Sequence, residues 1–179
     1  MPSQNYSFVA NLADLEPSGR KVVRIGGRKI VLFRSGDAVH ACNNRCPHEG
    51  YPLSEGNLTD GCVLTCNWHN WKFDLESGET LVGGDSLRRY PVLLDGERIL
   101  LDLTEPSGEA VAEAAINGLL GSFDRHEYDR MARELARLGA AGGEMLEAVR
   151  RAIADRHDCF EYGMTHAFAA APDWLSLGE

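Results

Sequence analysis

Four side chains of the types that commonly bind transition metals lie in two short clusters of the sequence. The first cluster is Cys46-Pro47-His48, the second is Cys66-Asn67-Trp68-His69, and seventeen residues separate them. Each cluster offers one thiolate and one imidazole, on segments that we expect to form tight turns at the tips of hairpins. Soft and borderline donors in this arrangement predict a metal site.

Two kinds of metal centre use this set of donors. A structural zinc site binds two cysteines and two histidines, but its usual signature keeps the cysteines in one pair and the histidines in the other. Here each pair mixes a Cys with a His. Mixed pairs suit a dinuclear centre, because each loop then gives one ligand to each metal ion. A zinc module remains the alternative.

The sequence around both clusters resembles the ferredoxin and oxygenase branch of the Rieske family, from about residue 8 to residue 103. The similar segments are Cys46-Pro47-His48-Glu49-Gly50, Pro52-Leu53-Ser54-Glu55-Gly56, Trp68-His69-Asn70-Trp71-Lys72-Phe73-Asp74 and Ser77-Gly78. The resemblance implies one 2Fe-2S cluster, in which two cysteines bind one iron and two histidines bind the other. We expect Cys46, His48, Cys66 and His69 to be these ligands, and we assign no catalytic residue.

The second cluster departs from the family pattern at two positions. Asn67 stands where the family usually has Pro, and Asn70 stands where it usually has Gly. Asn enters the left-handed backbone region more readily than most residues, so we expect Asn70 to keep the turn. The loop that often covers the cluster is shortened to Val82-Gly83-Gly84-Asp85.

The neighbours of the ligands predict a low reduction potential. The respiratory branch has a disulfide between the two loops, at positions that are Tyr51 and Trp68 here, so we expect no such bond. That branch also has Ser and Tyr hydroxyl donors at the positions of Trp71 and Phe73. Fewer donors stabilise the reduced cluster less, which favours the lower part of the Rieske range, down to about −150 mV.

The remaining cysteines are interpreted as structural residues. Cys42 and Cys62 each lie four residues before a ligand Cys, and we expect both to be small, buried or half-buried residues in flanking strands. Cys159 falls on a predicted helix and receives the same interpretation. The sequence therefore predicts no second cysteine metal pair.

Composition and charge limit the class of protein. The 179 residues carry a net charge of −9, with 13 acidic and 11 basic side chains in residues 1–104 and 14 and 7 in residues 105–179. An acidic surface argues against nucleic acid as a partner and is compatible with a basic docking face on a protein. The start of the chain lacks an export signal pattern, and no long apolar run predicts a membrane anchor. We expect a soluble, cytoplasmic protein.

Alternation of apolar and polar residues predicts a compact antiparallel β domain over residues 1–104. Short β-rich runs are separated by Gly26-Gly27 and Gly36-Asp37; they are Lys21–Ile25, Lys29–Arg34, Ala38–Ala41, Trp71–Asp74, Arg89–Leu94 and Ile99–Leu103. The predicted fold class is a mainly β, Rieske-type antiparallel sandwich followed by an α-helical region.

Helical sequence begins after Pro106-Ser107-Gly108, which predicts a helical extension over residues 105–179. Three helices are expected. The first covers Ala110–Leu120. The second has Tyr128, Met131, Leu135 and Leu138 on one face, and the third runs from about Glu144 towards Ala171 with Met145, Leu146, Val149 and Ile153 on one face. The aromatic residues expected to anchor a core or an interface are Phe160, Tyr162, Phe168 and Trp174. His157 and Glu161 share a helical face, but His166 points elsewhere, so we predict no mononuclear iron site there.

Three functions are consistent with these features. The first is a Rieske-type ferredoxin or ferredoxin-like subunit that carries single electrons from a reductase to an oxygenase or related oxidoreductase, with the helical extension as a docking or subunit-interface module in a hetero-oligomer. The second is a Rieske subunit whose helices complete the catalytic site of a multi-subunit oxidoreductase. The third is the structural zinc module. The first is favoured, so electron transfer rather than catalysis by this chain is expected.

Overall fold

A computed structural model describes residues 5–59, 62–123 and 125–156. Its backbone contacts divide the chain into two compact units, separated between Glu105 and Pro106. The first unit is built from β-strands and the second from helices. The predicted fold class, an antiparallel β domain followed by helices, is confirmed.

The strands of the first unit form three antiparallel sheets. The strands are β1 Tyr6–Asn11, β2 Arg20–Ile25, β3 Arg28–Ser35, β4 Ala38–Asn43, β5 Asn57–Leu58, β6 Val63–Thr65, β7 Lys72–Asp74, β8 Thr80–Val82, β9 Arg89–Tyr90, β10 Val92–Asp95 and β11 Arg98–Asp102. The sheet orders are β1-β11-β10, β2-β3-β4-β9 and β5-β6-β7-β8. Short 3-10 helices cover Leu12–Leu15 and Leu53–Glu55.

The predicted glycine turns determine the register of the central sheet. Gly26 and Gly27 both have positive φ, of 55° and 78°, and join β2 to β3 as a two-residue hairpin in which Ile25 pairs with Arg28. Gly36, with φ of 59°, lies in the turn between β3 and β4, where Ser35 pairs with Ala38. Both predicted hairpins are therefore present.

Strand β3 lies between the two hydrophobic cores of the β unit. Four successive residues, Ile30 to Phe33, are buried. Because side chains alternate across a strand, Val31 and Phe33 pack in one core, together with Cys46 and Cys66, while Ile30 and Leu32 pack in the other. This arrangement explains why β3 is a continuous apolar run rather than an alternating one.

The single run predicted over Arg89–Leu94 is in fact two strands. β9 pairs with β4, whereas β10 pairs with β11 in a different sheet. Pro91 lies between them and has no backbone N–H to donate to a ladder, so the chain changes sheets at this residue.

The second unit contains α1 Gly108–Phe123, α2 Tyr128–Ala140 and α3 Met145–Arg156 within the described residues. Its core contains Ile116 and Leu119 of α1, Leu138 of α2 and Ala148 of α3. Helix α1 begins earlier than predicted, and the Ala110 N–H donates to the Ser107 hydroxyl at 3.1 Å. Side-chain oxygens of Ser commonly satisfy the free N–H groups of a first helical turn.

Some residues predicted for the buried helical faces are exposed. Tyr128 at the start of α2 is 69% exposed, and Met145 and Leu146 at the start of α3 are also exposed. The buried positions of α3 are Ala148 and Ala152. Leu146 lies two residues, or about 200°, round the helix from Ala148, so both cannot face one core.

The remaining predictions for the tail concern residues outside the described part of the chain. They involve the continuation of the third helix towards Ala171 and the residues His157, Cys159, Phe160, Glu161, Tyr162, His166, Phe168 and Trp174. Among the helices of the described residues, none combines the length and apolar character that a membrane crossing requires.

Candidate metal centre

The two loops that carry the predicted ligands share one scheme of backbone hydrogen bonds. In the first loop the Cys46 N–H donates to the Tyr51 carbonyl at 2.8 Å, and the Gly50 N–H donates to the Cys46 carbonyl at 2.9 Å. In the second loop the Cys66 N–H donates to the Trp71 carbonyl at 2.8 Å, and the Asn70 N–H donates to the Cys66 carbonyl at 3.0 Å. Two sequences with different ligand spacing therefore form equivalent turns.

The loops differ in the strands that hold them. Residues 66–71 close the hairpin between β6 and β7, as predicted. The first loop instead leaves β4 in one sheet and leads through the 3-10 helix Leu53–Glu55 to β5 in another sheet. The expectation of two hairpin tips is wrong for this loop, because its chain must pass between sheets.

A left-handed residue occupies the same position in each turn. Gly50 has φ of 84° and Asn70 has φ of 58°. Gly adopts this conformation without steric cost and Asn more readily than most residues, so the expectation for Asn70 is confirmed. The other departure, Asn67, also has a structural role: its side-chain amide donates to the Glu55 carbonyl at 2.5 Å and ties the second loop to the 3-10 helix.

The structure brings the four predicted ligands together in pairs. Cys46 and Cys66 are 3% and 1% exposed and pack in the same core. The Nδ1 atoms of His48 and His69 are 3.1 Å apart. That separation is close to the edge, about 3.3 Å, of a tetrahedron with bonds of about 2.0 Å. His48 is half-buried, and the His69 side chain is 38% exposed.

The surroundings of the cysteine pair disfavour an unbalanced negative charge. Burial raises the pKa of the Cys46 thiol to about 11, and the adjacent Cys66 also raises this pKa, while hydrogen bonds from the His48 and Glu49 backbone N–H groups lower it. A buried thiolate is therefore costly here unless a metal ion balances its charge. Two cysteines inside and two imidazoles near the surface fit a dinuclear iron-sulfur group.

Aromatic rings pack on both histidines. The Trp71 ring is nearly parallel to that of His48, with centroids 4.6 Å apart, and the Trp68 ring stacks on His69 at 4.8 Å. A Cβ atom on Gly83 would overlap the Trp71 ring, so the shortened 82–85 loop approaches Trp71 through a glycine. The imidazoles are thus oriented by packing as well as by their loops.

Ring contacts occupy the positions at which the sequence ruled out a disulfide. Tyr51 and Trp68 have ring centroids 5.7 Å apart. The Tyr51 hydroxyl donates to Glu55 at 2.9 Å. Contact between the loops therefore includes a noncovalent aromatic pair, and the four cysteines of the described residues are all free thiols.

The two non-ligand cysteines of the β unit differ in their surroundings. Cys42 lies in β4, is fully buried, and has its thiol pKa raised to about 12 by burial, as expected of a structural residue. Cys62 is also buried but precedes β6 with φ of 57°, and its sulfur faces Ser35 and His40. Sequence spacing gave no signal for this contact, because His40 comes from a different sheet.

Comparison with known proteins identifies the family. Residues 5–90 match the Rieske [2Fe-2S] domain. The ferredoxin component of the alkene monooxygenase system of Xanthobacter autotrophicus is 33% identical over 109 residues, which cover 59% of this chain and 88% of that protein. The chain belongs to the Rieske family. The predicted membership of this family is confirmed. Membership implies a single Rieske-type 2Fe-2S cluster, which replaces the zinc alternative.

Two further Rieske relatives match a similar share of this chain. The ferredoxin subunit of the 3-phenylpropionate/cinnamic acid dioxygenase of Shigella boydii is 34% identical over 103 residues, covering 56% of this chain and 96% of that protein. The solved structure of the ferredoxin of carbazole 1,9a-dioxygenase from Nocardioides aromaticivorans IC177 superimposes with a TM-score of 0.52 at 27% identity, covering 56% of this chain and all of that one. The remaining two fifths of this chain lie outside each of these matches.

Proposed function

We propose that this chain is a Rieske-type ferredoxin, or ferredoxin-like subunit, that carries single electrons from a reductase to an oxygenase or a related oxidoreductase. Three relatives are ferredoxin components of oxygenase systems, and each is matched over 88% or more of its length. The observation that carries the proposal is the polarity of the site, in which the cysteines are buried and His69 is exposed.

This polarity fits the ligand set that the resemblance to the Rieske family implies. Cys46 and Cys66 would hold the inner iron, and His48 and His69 the outer iron. The bound cluster supplies one-electron oxidation and reduction. His48 is half-buried and His69 is exposed, so the imidazoles would be the ligands nearest solvent, through which electrons would enter and leave. No residue of this chain needs to bind a substrate, and no catalytic residue is proposed.

The surroundings of the ligands determine the reduction potential of the bound cluster. The N–H groups of His48 and Glu49 point at the Cys46 sulfur and stabilise negative charge there. Phe73 is fully buried and Trp71 stacks on His48, so neither position supplies a hydroxyl to the cluster. Because reduction adds negative charge, this sparse set of donors supports a potential in the lower part of the Rieske range.

Metal analysis of the anaerobically purified protein tests the proposal. We expect two irons and two sulfides per chain and a rhombic resonance signal after reduction with dithionite. Cys66→Ser and His69→Gln should lose the cluster, whereas the matched control His126→Asn, in the turn between α1 and α2, should keep it. A protein that binds no iron under these conditions would refute the proposal. A third iron would instead favour a catalytic role for this chain.

We further propose that the helical unit docks the chain on its redox partners, as the exposure of Tyr128, Met145 and Leu146 suggests. In a complex isolated from the source cells through a tag on this chain, Met145→Ser with Leu146→Ser should release the reductase or oxygenase subunits and leave the cluster signal unchanged. The exposed control Glu109→Gln should retain them. Retention in the double variant would exclude these residues as the interface. A cluster built on reduced thiols also supports a cytoplasmic location.

A further inference from the structure

A second group of metal-binding side chains lies in the β unit away from the cluster loops. His40, Cys62 and Glu76 each offer one ligand atom, and the three atoms all lie within 4.8 Å of one another. The Cys62 sulfur is 3.8 Å from the His40 Nε2 atom and 3.0 Å from the Ser35 hydroxyl oxygen. None of these residues is a proposed ligand of the 2Fe-2S cluster.

The three side chains come from three separate segments of the β unit. His40 is in the interior of β4, where it pairs with Phe33. The Cys62 N–H donates to the Thr59 carbonyl at 3.1 Å, and the Cys62 carbonyl accepts from Leu75 at 3.0 Å. Glu76 lies in the turn after β7, where its N–H donates to an Asp74 carboxylate oxygen at 2.7 Å.

We propose that His40, Cys62 and Glu76 form a mononuclear binding site for Zn²⁺. Thiolate, imidazole and carboxylate are the ligands that zinc uses in proteins, and three protein ligands leave a fourth tetrahedral position for water. The sulfur-to-nitrogen separation of 3.8 Å is close to the edge of about 3.5 Å expected for a tetrahedron with zinc bonds of about 2.3 and 2.0 Å.

The charges and burial of the group suit a divalent ion. A thiolate and a carboxylate together balance the two positive charges of zinc, so the occupied site is neutral and its buried part carries no net charge. Cys62 is 8% exposed, His40 is half-buried and Glu76 is exposed, which leaves a path for the ion from solvent. The Ser35 hydroxyl is placed to donate to the thiolate.

The backbone of Cys62 is unusual for a residue with only a packing role. Its φ of 57° lies in the left-handed region, where residues with a Cβ atom are disfavoured and Gly or Asn is the usual choice. A cysteine in this conformation directs its sulfur towards Ser35 and His40. Binding of a metal ion by Cys62 would account for this strained backbone conformation.

The proposed zinc site is distinct from the cluster. Cys62 precedes Cys66 by four residues, with β6 between them, so their backbones are separated by about 13 Å if this segment is fully extended. The two sites share no ligand. Zinc binding and cluster binding can therefore be measured independently, and loss of one does not imply loss of the other.

The test is a Zn²⁺ titration of the cluster-loaded protein against a fluorescent zinc indicator, followed by desalting and elemental analysis. We expect one zinc per chain with the iron content unchanged at two. Glu76→Gln, His40→Gln and Cys62→Ser should each weaken zinc binding at least tenfold. The matched control Glu79→Gln removes a neighbouring exposed carboxylate and should bind zinc as the unmodified chain does.

Alkylation provides a second readout that does not depend on the indicator. Zn²⁺ should protect Cys62 from iodoacetamide, as measured on the peptide by mass spectrometry, and this protection should be lost in Glu76→Gln. Glu76 is exposed, so this variant remains informative even if Cys62→Ser fails to fold. Equal zinc binding by Glu76→Gln and the unmodified chain would overturn the proposal. So would zinc uptake accompanied by loss of iron, because zinc would then occupy the cluster loops.

Discussion

Addition of one hydroxyl near the cluster should raise its reduction potential. Phe73 lies in β7, is fully buried, and belongs to the same core as Cys46 and Cys66. The variant Phe73→Tyr adds a single donor to that core at little change in volume. Because the reduced cluster carries one more negative charge, a donor near its sulfur atoms stabilises the reduced state more than the oxidised state.

The size of this effect follows from hydrogen-bond energies. A hydrogen bond to a charged group contributes about 1.5–3 kcal/mol. Only the difference between the two redox states shifts the potential, and we take this difference as about 1–2 kcal/mol. For a one-electron couple, about 1.4 kcal/mol corresponds to about 59 mV. Phe73→Tyr should therefore raise the potential by about 40–90 mV, and a further Trp71→Ser should raise it again.

Protein-film voltammetry measures this shift directly. The matched control is Phe73→Leu, which removes the ring without adding a donor and should lower stability while leaving the potential nearly unchanged. If Phe73→Tyr leaves the potential unchanged, or if Phe73→Leu raises it equally, the missing hydroxyl does not account for a low potential. Packing or solvent access around the cluster would then control it.

Three further predictions concern stability. Asn70→Ala should destabilise the second loop by about 1 kcal/mol, because the backbone φ of residue 70 is positive. Asn70→Gly should not destabilise it. The rate of cluster loss in guanidinium should therefore be higher for the Ala variant than for the Gly variant. Gly83→Ala should displace the indole beneath it and cost about 1–3 kcal/mol, with a change in tryptophan fluorescence. Glu134→Ala leaves the largely buried Arg130 without one carboxylate partner and should cost the helical unit about 3 kcal/mol in thermal unfolding, whereas Glu113→Ala, which breaks an exposed pair, should leave the unfolding temperature nearly unchanged.

Residue types and short spacings were sufficient for several features of this protein. The mixed Cys and His pairs favoured a dinuclear metal centre, because ligand chemistry depends on which donors a loop carries, and the resemblance to the Rieske family implied the 2Fe-2S cluster. Gly26-Gly27 predicted a hairpin, and Asn70 was predicted to take a left-handed conformation; both are present in the structure. Each of these properties depends on a residue and its near neighbours along the chain.

Other features depended on which distant segments pack together. The stacking of Trp71 on His48, the exposure of Met145 and Leu146, and the approach of Cys62 to His40 had no signal in the spacing of the residues. Backbone conformation and ligand type are local properties and can be predicted from the sequence. Contacts between side chains on different sheets depend on strand register and core packing, so only the tertiary structure determined them.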